Sequence, residues 1–147
     1  MQLNLHTDYG LRILMALAAS GERMSVDSIA RRYGVSRNHM AKIAQRLQAL
    51  GLVAATRGRA GGLELARPAK DINIGAAVRA LENLDGFVQC LKPDGPGGCA
   101  IDGVCGLKGA LVSALEAFLA QLDRFTLADL VRDRRKFMDR LALPAAA

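Results

Sequence analysis

A chain of 147 residues is about one domain's worth, long enough to bury a core of its own. Hydrophobic residues make up 51%, which excludes a disordered chain, and no apolar run reaches the roughly 18–20 residues of a membrane span. The formal charge of +6 lies wholly in the N-terminal half: residues 1–68 carry ten basic side chains against four acidic ones, whereas residues 69–147 carry ten of each.

An excess of that kind on one half is the footprint of a module that meets a polyanion, most often nucleic acid. With no Trp and 4% aromatics, the core must be built from Leu, Ala, Val and Ile, which favours helices over a sheet sandwich.

Residues 5–19 predict a first helix, with Leu11, Leu14, Met15 and Ala18 on one face. Thr7 and Asp8 stand where short oxygen-bearing side chains cap free backbone N–H groups, and Ser20-Gly21 ends the segment. Ser25 opens a short helix over residues 26–32, with Ile29, Ala30 and Tyr33 inward, and Gly34 breaks it. Ser36 then caps a helix running to about Leu50, whose buried stripe is Met40, Ile43, Ala44, Leu47 and Leu50. Its other face shows Arg37, Asn38, His39, Lys42 and Arg46. Helix, glycine turn, then a helix with a basic, amide-bearing N-terminal end is the helix-turn-helix pattern, in which the start of the second helix reaches base edges and Lys and Arg bind phosphates. Ser36, Arg37, Asn38, His39, Lys42 and Arg46 are therefore candidate DNA contacts.

Residues 52–56 and 63–66 read as two short strands joined by Arg57-Gly-Arg-Ala-Gly-Gly62. A thin tip with two arginines is a wing, and Arg57 and Arg59 suit either insertion into a minor groove or contact with phosphates alone. Residues 67–71 connect to a helix over residues 74–84 with Ala77, Val78 and Leu81 inward. The expected division is a winged helix-turn-helix DNA-binding domain over 1–70 and a second unit over 71–147.

That second unit holds all three cysteines, Cys90, Cys99 and Cys105, within sixteen residues. Gly95, Gly97, Gly98, Gly103, Pro93 and Pro96 lie between them, so the stretch predicts a loop that wraps something. Three soft donors suit zinc, copper or an iron–sulfur cluster. The N-terminus shows no basic region followed by an apolar core, so a reducing cytosol is the expected home, where clustered Cys are more often metal ligands than disulfides. A helix over residues 107–125 follows, with apolar positions Leu107, Leu111, Leu115, Phe118, Leu122 and Phe125 in a near-heptad seam. At roughly 28 Å it is too long for this domain to cover alone, so a second copy of the chain is the expected cover. Residues 126–141 read as one or two short helices with mixed charge, ahead of a tail from Pro144.

The segments Thr7-Asp8-Tyr9-Gly10-Leu11-Arg12, Ile29-Ala30 with Tyr33-Gly34-Val35-Ser36, and Arg57-Gly58-Arg59-Ala60-Gly61-Gly62, followed by three Cys before a long helix, carry a resemblance over nearly the whole chain. Together they resemble the bacterial winged-helix iron–sulfur regulators of the Rrf-two type, with their NsrR, IscR and RirA branches. The resemblance implies a mostly α fold: a winged helix-turn-helix with a small two-stranded wing, plus a long C-terminal dimerisation helix. It also implies that Cys90, Cys99 and Cys105 ligate an iron–sulfur cluster, 4Fe–4S in preference to 2Fe–2S. Where the IscR-like branch places a fourth-ligand His, this chain has Lys108, and an ammonium cannot ligate. Asp8 stands where the NsrR-like branch supplies an aspartate from the other subunit. The eight residues between Cys90 and Cys99 are closer to the RirA-like gap.

The function these readings imply is a cytoplasmic, homodimeric transcriptional repressor that binds a palindromic double-stranded operator and senses nitric oxide through the cluster. An iron-responsive or cluster-status regulator of the same fold is the alternative. A structural zinc site, with His6 or an aspartate as fourth ligand, is the other. No enzyme is expected: neither His6 nor His39 has an evident nucleophile or acid partner, and the chain has no Cys-x-x-Cys pair.

Overall fold

The computed structural model describes residues 2–92 and 99–142. The Gly- and Pro-rich middle of the cysteine loop and the tail from Pro144 fall outside them. The fold is mostly α, with a two-stranded wing, as expected.

The first helix, α1, spans Leu5–Ser20 and is capped one turn earlier than expected. Asn4, not Thr7 or Asp8, is the N-cap, and its side chain accepts the Thr7 N–H at 2.8 Å. Glu82 holds Asn4 in place, accepting from its backbone N–H at 3.1 Å and its amide at 2.8 Å. Gly21 ends the helix in the left-handed region at φ 69°. The expected inward face is only partly right. Ile13, Leu14, Ala16, Leu17, Ala18 and Ala19 are buried, while Leu11 and Met15 are half-buried in a cleft. The reason is position: α1 is packed by several other elements at once, so no single 3.6-residue stripe describes its burial.

Ser25 caps α2 (Val26–Tyr33), and Ser36 caps α3 (Arg37–Ala49), each accepting the N–H three residues on, at 3.1 and 3.2 Å. Gly34, at φ 65°, turns the chain between them. Met40, Ile43, Ala44 and Leu47 bury the inner face of α3 as expected, against Ile13, Leu14 and Ile29 in the same core. Strands β1 (Val53–Thr56) and β2 (Gly62–Leu65) pair antiparallel, Val53 opposite Leu65 and Thr56 opposite Gly62. Met24 adds a single bridge to Leu63, with bonds of 2.9 and 2.8 Å, and stitches the wing to the loop before α2.

Helix α4 (Ile74–Leu81) stops three residues short of expectation because Glu82 leaves helical geometry to reach Asn4. Two 3-10 turns, Leu84–Gly86 and Gln89–Leu91, carry the chain into the cysteine loop. Helix α5 then runs Gly106–Leu122. Arg79 anchors its C-terminal end by gripping Asp123, one of the two bonds measuring 2.8 Å. The expected seam divides. Leu119 is the one buried residue of α5, Leu115, Phe118 and Leu122 pack partly on the core, and Leu107 stays 66% exposed. Phe125 lies beyond the helix. The chain closes with α6 (Leu127–Leu130) and α7 (Arg134–Ala142), and α7 folds back on α1 and α2.

Two measurements test this packing. Leu47→Ala removes a side chain with no exposure, so urea denaturation should show a loss of about 2–5 kcal/mol. At the start of α6 the Thr126 backbone N–H, Arg132 and the Thr126 hydroxyl bond Asp129 and push its carboxyl down to about 2. A depressed carboxyl stabilises the fold above its ordinary value of 3.8, and that contribution fades as pH falls toward about 2. Asp129→Asn should therefore flatten the stability-versus-pH curve across that acid window.

Candidate DNA-binding face and cysteine loop

The start of α3 presents Arg37, Asn38 and Lys42 to solvent. Among the described residues none of the three side chains has a hydrogen bond or ion pair, so their polar groups are free to meet a ligand. The other candidates on this helix are already engaged. The Ser36 hydroxyl caps the helix. Arg46 donates to the Ala80 carbonyl of α4 at 3.2 Å. The His39 ring turns back onto α1, 5.5 Å from the His6 ring and edge-on to Tyr9 at 5.8 Å.

The wing tip holds Arg57 and Arg59 in solvent. Its shape depends on glycine: a Cβ on Gly61 would strike the Thr56 carbonyl oxygen, and one on Gly62 would come within 2.7 Å of the Met24 carbonyl oxygen. Arg23, which sequence reasoning missed, braces the tip. It donates to both Glu64 oxygens at 3.1 and 3.2 Å and to the Ala60 carbonyl at 3.4 Å. Nothing local marks Arg23, because its partners lie about forty residues away and meet it only in the fold.

The three cysteines are free thiols. Cys90 sits in the turn Gln89–Leu91, Cys99 is exposed, and Cys105 is the half-buried N-cap of α5 with no side-chain bond to the helix. Lys108 pairs with Asp102 at 3.4 Å, as a cation and not a ligand. Among the described residues no group of three or more His, Cys, Asp or Glu is placed to hold a metal ion, so neither Asp8 nor His6 forms such a group with the cysteines. The donor chemistry still fits an iron–sulfur cluster. Three soft thiol donors come from one loop, one of them at a helix N-terminus whose free N–H groups favour negative charge. A cluster held there would need a fourth donor besides the three thiols.

Asp8 lines a cleft between α1, α2 and α7 together with Arg12, Tyr33 and Phe137. Arg12 grips it at 3.0 and 3.1 Å and also lies over the Tyr9 and Tyr33 rings, 5.5 and 5.9 Å from their centroids. The Tyr33 hydroxyl donates to the Arg12 carbonyl at 3.1 Å, and burial pushes its pKa up to about 12, so it stays a neutral donor. Asp8 and Arg12 are each about two-fifths exposed, and an i,i+4 pair of that kind contributes only about 0.3–0.5 kcal/mol. Asp8 can exchange this partner for another at little cost.

The family model described as "Rrf2: Iron-dependent Transcriptional regulator" matches residues 3–133. The chain belongs to that family. It is 43% identical over 145 residues to the HTH-type transcriptional regulator NsrR of Bacillus subtilis (strain 168), covering 97% of this chain and 99% of that protein. Among solved structures, T. potens IscR superposes with a TM-score of 0.72 at 24% identity, covering 99% of this chain and 94% of that one, which speaks to the fold. CymR, described as the global cysteine regulator of B. subtilis, superposes at 0.70 with 26% identity, over 90% of this chain and 97% of its own.

Arg23→Ala should loosen the wing without unfolding the protein. Hydrogen exchange at the amides of residues 57–62 should quicken, while global stability changes by less than about 1 kcal/mol, since the Arg23–Glu64 pair is partly exposed.

Proposed function

We propose that the chain is a DNA-binding transcriptional repressor, working as a homodimer on a palindromic operator, whose affinity is set by an iron–sulfur cluster that senses nitric oxide. One observation carries the reading. A family member 43% identical to an NsrR over nearly its full length carries three thiols in and before the start of α5 and an aspartate, Asp8, held only by a weak ion pair.

Arg37, Asn38 and Lys42 on α3 face base edges and phosphates, and Arg57 and Arg59 follow the backbone or the minor groove from the wing. Helix α5 is the dimerisation element. Its N-terminal end and the loop before it expose Ile101 at 55%, Val104 at 84% and Leu107 at 66%, a surface suited to burial against a second copy. Cys90, Cys99 and Cys105 hold a cluster, 4Fe–4S in this reading. Asp8 reaches it from the other subunit, a reading supported by the lack of any group of three metal ligands within the described residues of one chain. When bound, the cluster supplies iron with three soft ligands and one weakly held oxygen, the place where a small molecule enters. Asp8 would give up its pair with Arg12 if it held the cluster and keep that pair otherwise, so α1 would be held differently in the two states.

Iron status is the second reading, favoured by the eight-residue gap between Cys90 and Cys99 and by the family's iron-dependent description. A visible spectrum of anaerobically purified protein decides between them. Broad sulfur-to-iron absorption that bleaches during a nitric oxide titration, with loss of operator binding, is the expected result. Colour that resists nitric oxide but yields to a chelator would move the signal to iron, and a colourless protein would remove the cluster. Asp8→Ala should abolish the cluster-dependent part of operator binding. Arg57→Ala and Arg59→Ala should each lower the slope of log affinity against log salt by about 0.9 for every phosphate the side chain had neutralised.

A further inference from the structure

We infer that His39 is a positioning residue that couples the first turn of α1 to the start of the reading helix, and not a reader of DNA itself. The inference rests on the proposed function for its regulatory meaning, while the contact itself is independent of it.

His39 is the third residue of α3, and its backbone N–H closes the Ser36 cap at 3.2 Å. A side chain at that place in a helix-turn-helix ordinarily faces the groove, as exposed Arg37 and Asn38 do here. The His39 ring does the opposite. It lies 5.5 Å from the His6 ring, tilted by 37°, and 5.8 Å from Tyr9 in an edge-on arrangement at 77°. Its Nε2 is shut from solvent with no protein partner, so it is not offered to a base. His6 and Tyr9 are one helical turn apart and bracket Asp8, so the turn that carries Asp8 also carries both rings that hold His39.

Two further observations make this contact a coupling. Among the described residues only two buried side-chain polar atoms lack a partner, Thr7 Oγ1 and His39 Nε2. One lies in the first turn of α1 and the other against it. Buried polar groups are otherwise satisfied as a rule, so this contact is poorly bonded where the rest of the fold is well bonded. That suits a contact with two arrangements. Just beyond it, Gly10 lets α1 approach α4 closely while also touching α3: a Cβ there would lie 3.1 Å from Leu81 Cδ1 and, at an ordinary contact distance, 3.7 Å from Ile43 Cγ2. Ile43 is one turn after His39 and has no exposure. The Gly10–Leu81 approach seats α1 on α4, and the aromatic contact beside it joins α1 to the start of α3. When Asp8 exchanges Arg12 for another partner, the turn moves and carries the His39 end of α3 with it.

The test uses the full-length protein, with and without its cluster, and the variants His39→Ala and His39→Phe. Phe keeps the ring packing and removes both nitrogens. The expected result for His39→Ala is a cluster-free operator affinity near wild type and a loaded-to-free affinity ratio reduced at least about fivefold, with the ratio retained in His39→Phe. Equal losses in both forms and both variants would make His39 a direct DNA contact, and an unchanged ratio in His39→Ala would also overturn the inference. A second readout needs no cluster. In cluster-free protein, Asp8→Ala should shift the amide resonances of residues 37–40 in the wild-type background and leave them in place in the His39→Ala background. Shifts that persist without His39 would sink the coupling. If the coupling is seen by resonance while wild-type protein shows no cluster-dependent binding, the proposed signal fails and the positioning role stands.

Discussion

Burial of α1 is the constraint on which the rest of this structure depends. Ile13 and Leu14 have no exposure and Leu17 has 2%, and each such side chain contributes about 1.5–3 kcal/mol by leaving water. Helices α3, α4, α6 and α7 and strand β2 all pack on this one helix. Its two ends are pinned from far away in the chain. Glu82 holds Asn4 at the start, and Arg134 donates to the Ala19 carbonyl at 2.9 Å near the end. A helix fixed in this way cannot shift alone. Any force applied to its first turns is passed to whatever packs there, which is α3 through His6 and Tyr9 and α4 through Gly10.

The charged groups divide by task. Arg12, Arg23, Arg46 and Arg79 are held by named acceptors, and they shape the cleft, the wing and the α3–α4 and α4–α5 contacts. Arg37, Lys42, Arg57 and Arg59 stay in solvent. The excess positive charge of the N-terminal half is therefore partly structural, and the uncommitted side chains are the candidates for a surface that meets a polyanion. Coulomb attraction draws DNA to the whole half, but free donors are needed to grip it.

The cysteine loop and the adjoining end of α5 stand at the other extreme. There the described residues bury little, and Val104 and Leu107 lie open. Among the described residues, cysteines that form no group of three metal ligands and an apolar flank with no cover are two forms of the same incompleteness. A second copy of the chain would relieve both. In the proposed dimer, Asp8, weakly paired near the other end of the chain, is the group that would be lent.

Much of this was legible in the sequence. Ser25, Gly34 and Ser36 mark α2, the turn and α3 because capping is local chemistry. The wing follows from glycines between two short apolar runs, with the strand bounds displaced by one residue. The three cysteines announce a soft-donor loop by type and spacing alone. Tertiary structure decided the rest. It moved the α1 cap to Asn4, because Glu82 supports that residue from 78 positions away. It ended α4 early for the same bond. It spread the burial of α1 around the helix, turned His39 and Arg46 away from the candidate DNA face, and recruited Arg23 to the wing. Periodicity and capping report what a residue does with its near neighbours. Which way a long polar side chain points depends on acceptors and rings that only the folded chain brings within reach.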